Sequence, residues 1–128
     1  MQPATEIKAI NVLVKTAYLP EQSMADDEKY VFSYTITIEN NSDSPVKLLN
    51  RHWVITDANG DTTEVQGEGV IGQQPNILPG QHFTYSSGCI LKTPIGTMQG
   101  HYQMRDQVEQ LFDVDIPVFR LAIPNILN

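Results

Sequence analysis

KYVFSYTITIEN, residues 29–40, decides the fold. Tyr30, Phe32, Tyr34, Ile36 and Ile38 share one parity, and Val31, Ser33, Thr35, Thr37 and Glu39 share the other. Successive side chains of an extended chain point to opposite faces, so the stretch predicts a strand with one apolar face and one mostly wet face. A helix would need apolar residues at intervals of three and four instead. β-branched and aromatic residues fill the segment, as a pleated, half-buried surface prefers.

The same period of two extends outward in both directions. IKAINVLVKTAYL (7–19) puts Ile10, Val12, Val14 and Tyr18 on one parity and Leu13 on the other. VKLLNRHWVITD (46–57) is mixed, with Leu49, Trp53 and Ile55 as the expected core face. HFTYSSGCIL (82–91) groups Phe83, Tyr85, Cys89 and Leu91; GHYQMRD (100–106) offers Tyr102 and Met104. In LFDVDI (111–116) the apolar set is Phe112, Val114 and Ile116. Beyond Pro117 it continues as Phe119, Leu121 and Ile123, on the opposite parity. A one-residue shift at a proline predicts a β-bulge or an edge strand. NNSDSP, DANGD, LPGQ and TPIG punctuate these runs, and Asn59-Gly60 between VIT and TTEV signals a hairpin. EQSMADDEK is expected to be an acidic loop with room for one short turn. Many short strands with frequent turns predict an all-β fold. The expectation is an immunoglobulin/fibronectin-III-like β-sandwich of about seven to eight strands, one domain over 1–128.

Composition narrows the function classes. The 128 residues are 41% hydrophobic and 18% charged, with a formal net charge of −7. Nucleic-acid binding needs clustered Lys and Arg, and the eight basic residues here are scattered. No nucleic-acid partner is expected, and for the same reason no anionic membrane surface. Cys89 is the one cysteine, so an intrachain disulfide is impossible. The stretch MQPATEIKAINVLV has neither a basic run nor a long apolar one, and the expected location is the cytoplasm.

Several stretches invite a chemical reading. GEGVIGQQP, residues 67–75, carries Gly67, Gly69 and Gly72 at the G-x-G-x-x-G spacing of a dinucleotide site. That motif works by opening a helix whose N-terminus faces the pyrophosphate. QQPNILPG comes next instead, and its two prolines start no helix. What survives is an anion-binding nest of backbone N–H groups, beside the plainer reading of an irregular loop. Asp57, Asn59 and Asp61 imitate the opening of a calcium loop, but Thr62 stands where the EF-hand needs glycine. A hairpin turn is expected there. Arg51-His52-Trp53 places Arg51 and Trp53 on one strand face and His52 on the other, with Trp53 a core anchor. His52, His82 and His101 show no spacing that predicts a metal site. Ser86 lacks a nucleophile elbow, and Cys89 sits on an apolar parity where a buried, inert thiol is expected. Neither a catalytic residue nor a cofactor is expected.

The recognisable residues run through the whole chain. They include YVFSYTITIEN (30–40), RHW (51–53), DANG (57–60), EVQGEGVIGQQP (64–75), LPG (78–80), YSSGC (85–89), TPIGTMQG (93–100) and IPVFRL (116–121). In this order they resemble the bacterial ApaG family. The resemblance implies a fibronectin-III-type sandwich with no established enzymatic activity. It also implies an association with cobalt and magnesium resistance or efflux. Similar domains in eukaryotic F-box proteins and in a polymerase-delta-interacting protein look like protein-interaction modules.

The functional expectation is therefore a non-enzymatic, cytosolic protein-interaction module. Binding residues concentrate on loops held by a rigid scaffold. The expected surface is a long loop from Glu64 to Gly80, with Gly67, Glu68, Gly69, Gly72 and Gln73 as candidates, joined by Arg51 and His52. The alternative is a small-ligand binder, for a divalent cation or for phosphate or pyrophosphate, at the Gly67–Gly72 loop. Open sheet edges also allow a homodimer.

Overall fold

The computed structural model describes residues 9–125. Eight strands run in order: β1 (Ile10–Tyr18), β2 (Tyr30–Asn40), β3 (Val46–Asp57), β4 (Thr62–Glu68), β5 (Asn76–Ile77), β6 (His82–Leu91), β7 (Ile95–Arg105) and β8 (Leu111–Ala122). They form two antiparallel sheets. One has three strands in the order β1-β2-β6; the other has five, in the order β4-β3-β7-β8 with β5 added beside β3. This is the fibronectin-III-like sandwich that the sequence predicts.

β2 is the centre of the smaller sheet. Ile36 and Ile38 are fully buried, with Phe32 and Tyr34 beside them. The opposite face stays polar: Thr35 Oγ1 lies 2.7 Å from Ser86 Oγ, and Thr37 Oγ1 lies 3.0 Å from Thr84 Oγ1. Cross-strand hydroxyl pairs of this kind knit an exposed sheet face. Trp53 enters from the larger sheet and meets Tyr34, Tyr102 and Phe119 edge-on, at centroid distances of 5.4, 6.4 and 5.8 Å. Tyr85 and Tyr102 face each other across the core with their hydroxyls 2.6 Å apart. Burial pushes both phenols well above their ordinary range. Burial likewise pushes the Cys89 thiol up to about 11, so it stays protonated and unreactive at neutral pH.

β3 corrects the sequence reading. Its register against β7 slips between Leu48 and Asn50. Val46 and Leu48 are buried before the bulge, and Trp53 is buried after it. The core residue is thus Leu48, not Leu49. The extra residue reverses the parity half-way along the strand, as bulges do. β8 shifts register too, where Met98 pairs with Phe119 and Gly100 with Ile116. Here both halves of the expectation hold, since β8 is bulged beside Pro117 and is also the last strand of its sheet.

Polar side chains pin two of the connections. The acidic stretch after β1 is more ordered than a loop, forming 3₁₀ turns at Pro20–Gln22 and Ala25–Asp27. Ser23 Oγ holds it, donating to Leu19 O and accepting from Val31 N–H, both at 2.8 Å. At the end of β2, Asn40 is fully buried. Its Nδ2 donates to Ser44 O and Ile77 O, and its Oδ1 accepts from Ser42. A buried amide must satisfy its donors and acceptors, and this one ties the turn after β2 to β5.

Candidate functional site

Only part of the expected loop from Glu64 to Gly80 is a loop. Glu64, Gln66, Gly67 and Glu68 belong to β4, and Asn76 and Ile77 form β5. The pairing that makes β4 is with β3: Asn50 opposes Glu68, Arg51 opposes Gly67, and His52 opposes Gln66. On its other side β3 pairs with β7, where His52 opposes His101 and Asn50 opposes Gln103. Alternation then sends Asn50, His52, Gln66, Glu68, His101 and Gln103 to the outer face of the sheet.

These side chains line a groove of about 600 Å³, with Asp113 of β8 at its far side. The His52 and His101 rings meet edge-on, 5.1 Å apart. His52 Nε2 lies 3.0 Å from Glu64 Oε1, and Asn50 Nδ2 donates to Gln103 Oε1 at 2.7 Å. The floor is thus a set of imidazoles and carboxamides on a rigid sheet, flanked by carboxylates. Such groups orient a ligand through directional hydrogen bonds.

Arg51 joins this groove to the turn beyond β4. It shares the parity of Trp53, as expected, but its guanidinium lies across the β4 backbone. Nη1 donates to Glu68 O and Gly69 O, both at 3.0 Å. A Cβ on Gly67 would stand 2.8 Å from that nitrogen, so glycine there makes room for the clamp. Next, Val70 and Gln73 exchange hydrogen bonds of 2.8 and 2.9 Å. The two residues between them, Ile71 and Gly72, have φ of 43° and 77°. Positive φ at both central residues marks a tight type I′-like turn. Gly69 has φ of +63°, and a Cβ there would collide with Gln73 O. Leu49, the bulged residue of β3, accepts from Gly69 N–H at 2.8 Å and from Gln74 Nε2 at 2.9 Å.

The G-x-G-x-x-G spacing therefore has a structural cause. Gly67 yields to Arg51, Gly69 to the Gln73 carbonyl, and Gly72 to the turn. No helix comes after it. The N–H groups of Gly69, Val70 and Gln73 already bond within the protein, which removes most of an anion nest. Asp57 Oδ1 is similarly engaged, accepting from Asn59 and Asp61 N–H at 2.8 and 3.1 Å. Among the described residues no group of three or more His, Cys, Asp and Glu converges to hold a metal. Among them, too, no helix is long and apolar enough to cross a membrane.

Residues 20–106 match the family model described as ApaG domain. The chain belongs to the ApaG family. Curated ApaG proteins of Citrobacter koseri and Salmonella arizonae are each 53% identical over 117 residues, covering 91% of this chain and 94% of theirs. An X-ray structure of a structural genomics target superposes with a TM-score of 0.90 at 51% identity, over 94% of this chain and 91% of that one. A Bordetella pertussis structure gives 0.88 at 46% identity, over 91% and 94%.

Of the residues singled out in the sequence, Arg51, His52, Gly67 and Glu68 come together at the groove. Gly69, Gly72 and Gln73 stand apart in the adjoining turn. Sequence reading does not single out Asn50, Gln103 and Asp113, leaves Gln66 unnamed within the expected loop, and weighs His101 only as a metal ligand. The available signal is polar residues at the outward parity of long strands. They become neighbours only once the register of β3 against β4 and β7 is known.

Proposed function

We propose that the chain is a non-enzymatic, cytoplasmic binding module that holds another protein against the outer groove and the turn at residues 69–73. One observation carries this reading. Ile71, a β-branched residue, is held at φ 43° and leaves about half its surface in water. A β-branched side chain at positive φ is strained, and such strain gathers at ligand clamps and switch regions. Arg51, Gly69 and Gln74 fix the turn, so the exposed apolar tip is presented rigidly. Rigid presentation reduces the ordering cost of binding. The acidic balance of the chain argues against nucleic acid as the partner. Any effect on cobalt or magnesium efflux, as the family resemblance implies, is then carried by the partner.

The test is affinity capture from native cytosol with the wild-type chain and a His101→Ala/Gln103→Ala variant. Specific partners should fall by roughly fivefold or more, the effect of losing about 1 kcal/mol. An unchanged capture profile overturns the groove assignment. Calorimetric heat with magnesium, cobalt or pyrophosphate, lost in the same variant, would favour the small-ligand reading instead.

A further inference from the structure

β4 ends the larger sheet, and its second edge pairs with no described strand. Two hydrogen bonds fix which of its backbone groups face that edge. Asp57 N–H donates to Asp61 O, and Gly69 N–H donates to Leu49 O. Bonded and non-bonded pairs alternate along an antiparallel ladder. The bonded pairs between β3 and β4 are therefore Arg51–Gly67, Trp53–Val65 and Ile55–Thr63. Thr62, Glu64, Gln66 and Glu68 turn their N–H and C=O groups away from β3. Of these, only the Glu68 carbonyl is engaged, by Arg51.

The same four residues send their side chains to the groove face. Thr62, Glu64, Gln66 and Glu68 are all exposed. A strand added to this edge would form its bonded pairs with them, and each bonded partner's side chain would stand directly opposite on the groove face. Two of the four are carboxylates, four residues apart. TTEVQGE contains no basic residue, so a second copy of β4 brings no countercharge. Like charges across a strand pair destabilise it, and opposite charges stabilise it.

We propose that β4 receives an extended segment of the partner as an added antiparallel strand, with basic side chains four residues apart opposite Glu64 and Glu68 and a polar one between them opposite Gln66. The proposal rests on the protein-binding reading above and names the chemistry of the partner's segment. Main-chain bonds give such an added strand its affinity, and alternate side chains give its specificity.

The probe is a capped heptapeptide, TRVQVRT, compared with its acidic twin TEVQVET. The readout is amide hydrogen exchange of Glu64 and Gln66 by NMR, since their N–H groups face the open edge. Millimolar TRVQVRT should slow both by roughly tenfold, as new main-chain bonds do, while TEVQVET leaves them unchanged. In a Glu64→Lys/Glu68→Lys variant the preference should reverse. Both substitutions are at exposed positions, so the fold survives them. Equal slowing by both peptides, or slowing by neither, overturns the proposal. So does protection that grows with protein concentration in the absence of peptide, which would put a second copy on the edge. If the peptides fail while capture still depends on His101 and Gln103, the added strand is wrong and the groove reading stands. If that dependence is absent too, both fall.

Discussion

β2 and β4 are both strands, and they are held in opposite ways. β2 lies between β1 and β6 and buries Phe32, Tyr34, Ile36 and Ile38 on one face. β4 has one neighbour among the described strands, and none of its residues is buried. β2 is stabilised by apolar area removed from water. β4 is stabilised by its ladder to β3 and by backbone contacts around it: the Arg51 clamp, the Gly69 bond to Leu49, and the tight turn beyond. Stability and presentation are thus divided. The small sheet and its core supply a rigid body, and the β4 end of the large sheet carries exposed polar backbone, carboxylates and a strained apolar tip. Binding surfaces are drawn from weakly buried segments of this kind.

Ile36→Ala should give the largest effect. A fully buried aliphatic residue cut to alanine loses its transfer energy and leaves a cavity, roughly 3 kcal/mol. Denaturant unfolding should show a lowered midpoint with an unchanged slope. Amides in both sheets should lose protection together. A loss below about 1 kcal/mol, outside the range for buried Ile→Ala, would mean that the body is not centred on β2.

Gly69→Ala comes next. Its φ of +63° and the clash with the Gln73 carbonyl cost roughly 2 kcal/mol. This loss should be local. Hydrogen exchange should quicken more at position 69, Val70 and Gln73 than at the β2 amides. If β2 weakens equally, the turn and the core unfold as one unit, and the contrast between the two regions is lost.

The legibility of each region in the sequence divides the same way. β2 can be read because alternation reports burial, and β2 is buried on one whole face. The bulge of β8 can be read because Pro117 marks it. The bulge of β3 carries no such mark. Leu48 and Leu49 are adjacent and equally apolar, so nothing local says which one faces inward. β4 reads as loop after its first residues, because TTEVQGE buries no face and so has no hydrophobic pattern to report. The groove is half legible. Arg51, His52, Gly67 and Glu68 lie in conspicuous stretches. His101 and Gln103 are some fifty residues from Asn50 and His52, and only the register set by the unmarked β3 bulge brings them opposite.

The smallest effect should have the opposite sign. Ile71→Gly relieves a left-handed conformation that costs an L-residue about 1–2 kcal/mol, against the greater unfolded-state entropy of glycine. The net gain is about 1 kcal/mol, or roughly 4 °C in Tm for a domain of this size. The same variant should capture less partner, because the exposed apolar tip is gone. Gain and loss in one substitution would separate the two regions most sharply, since truncation on the buried face of β2 costs stability. A variant less stable than the wild type would show that the Ile71 side chain contributes more packing than its backbone strain costs. Its left-handed conformation would then need no binding role to explain it, and the case for the turn as a contact surface would rest on the groove beside it.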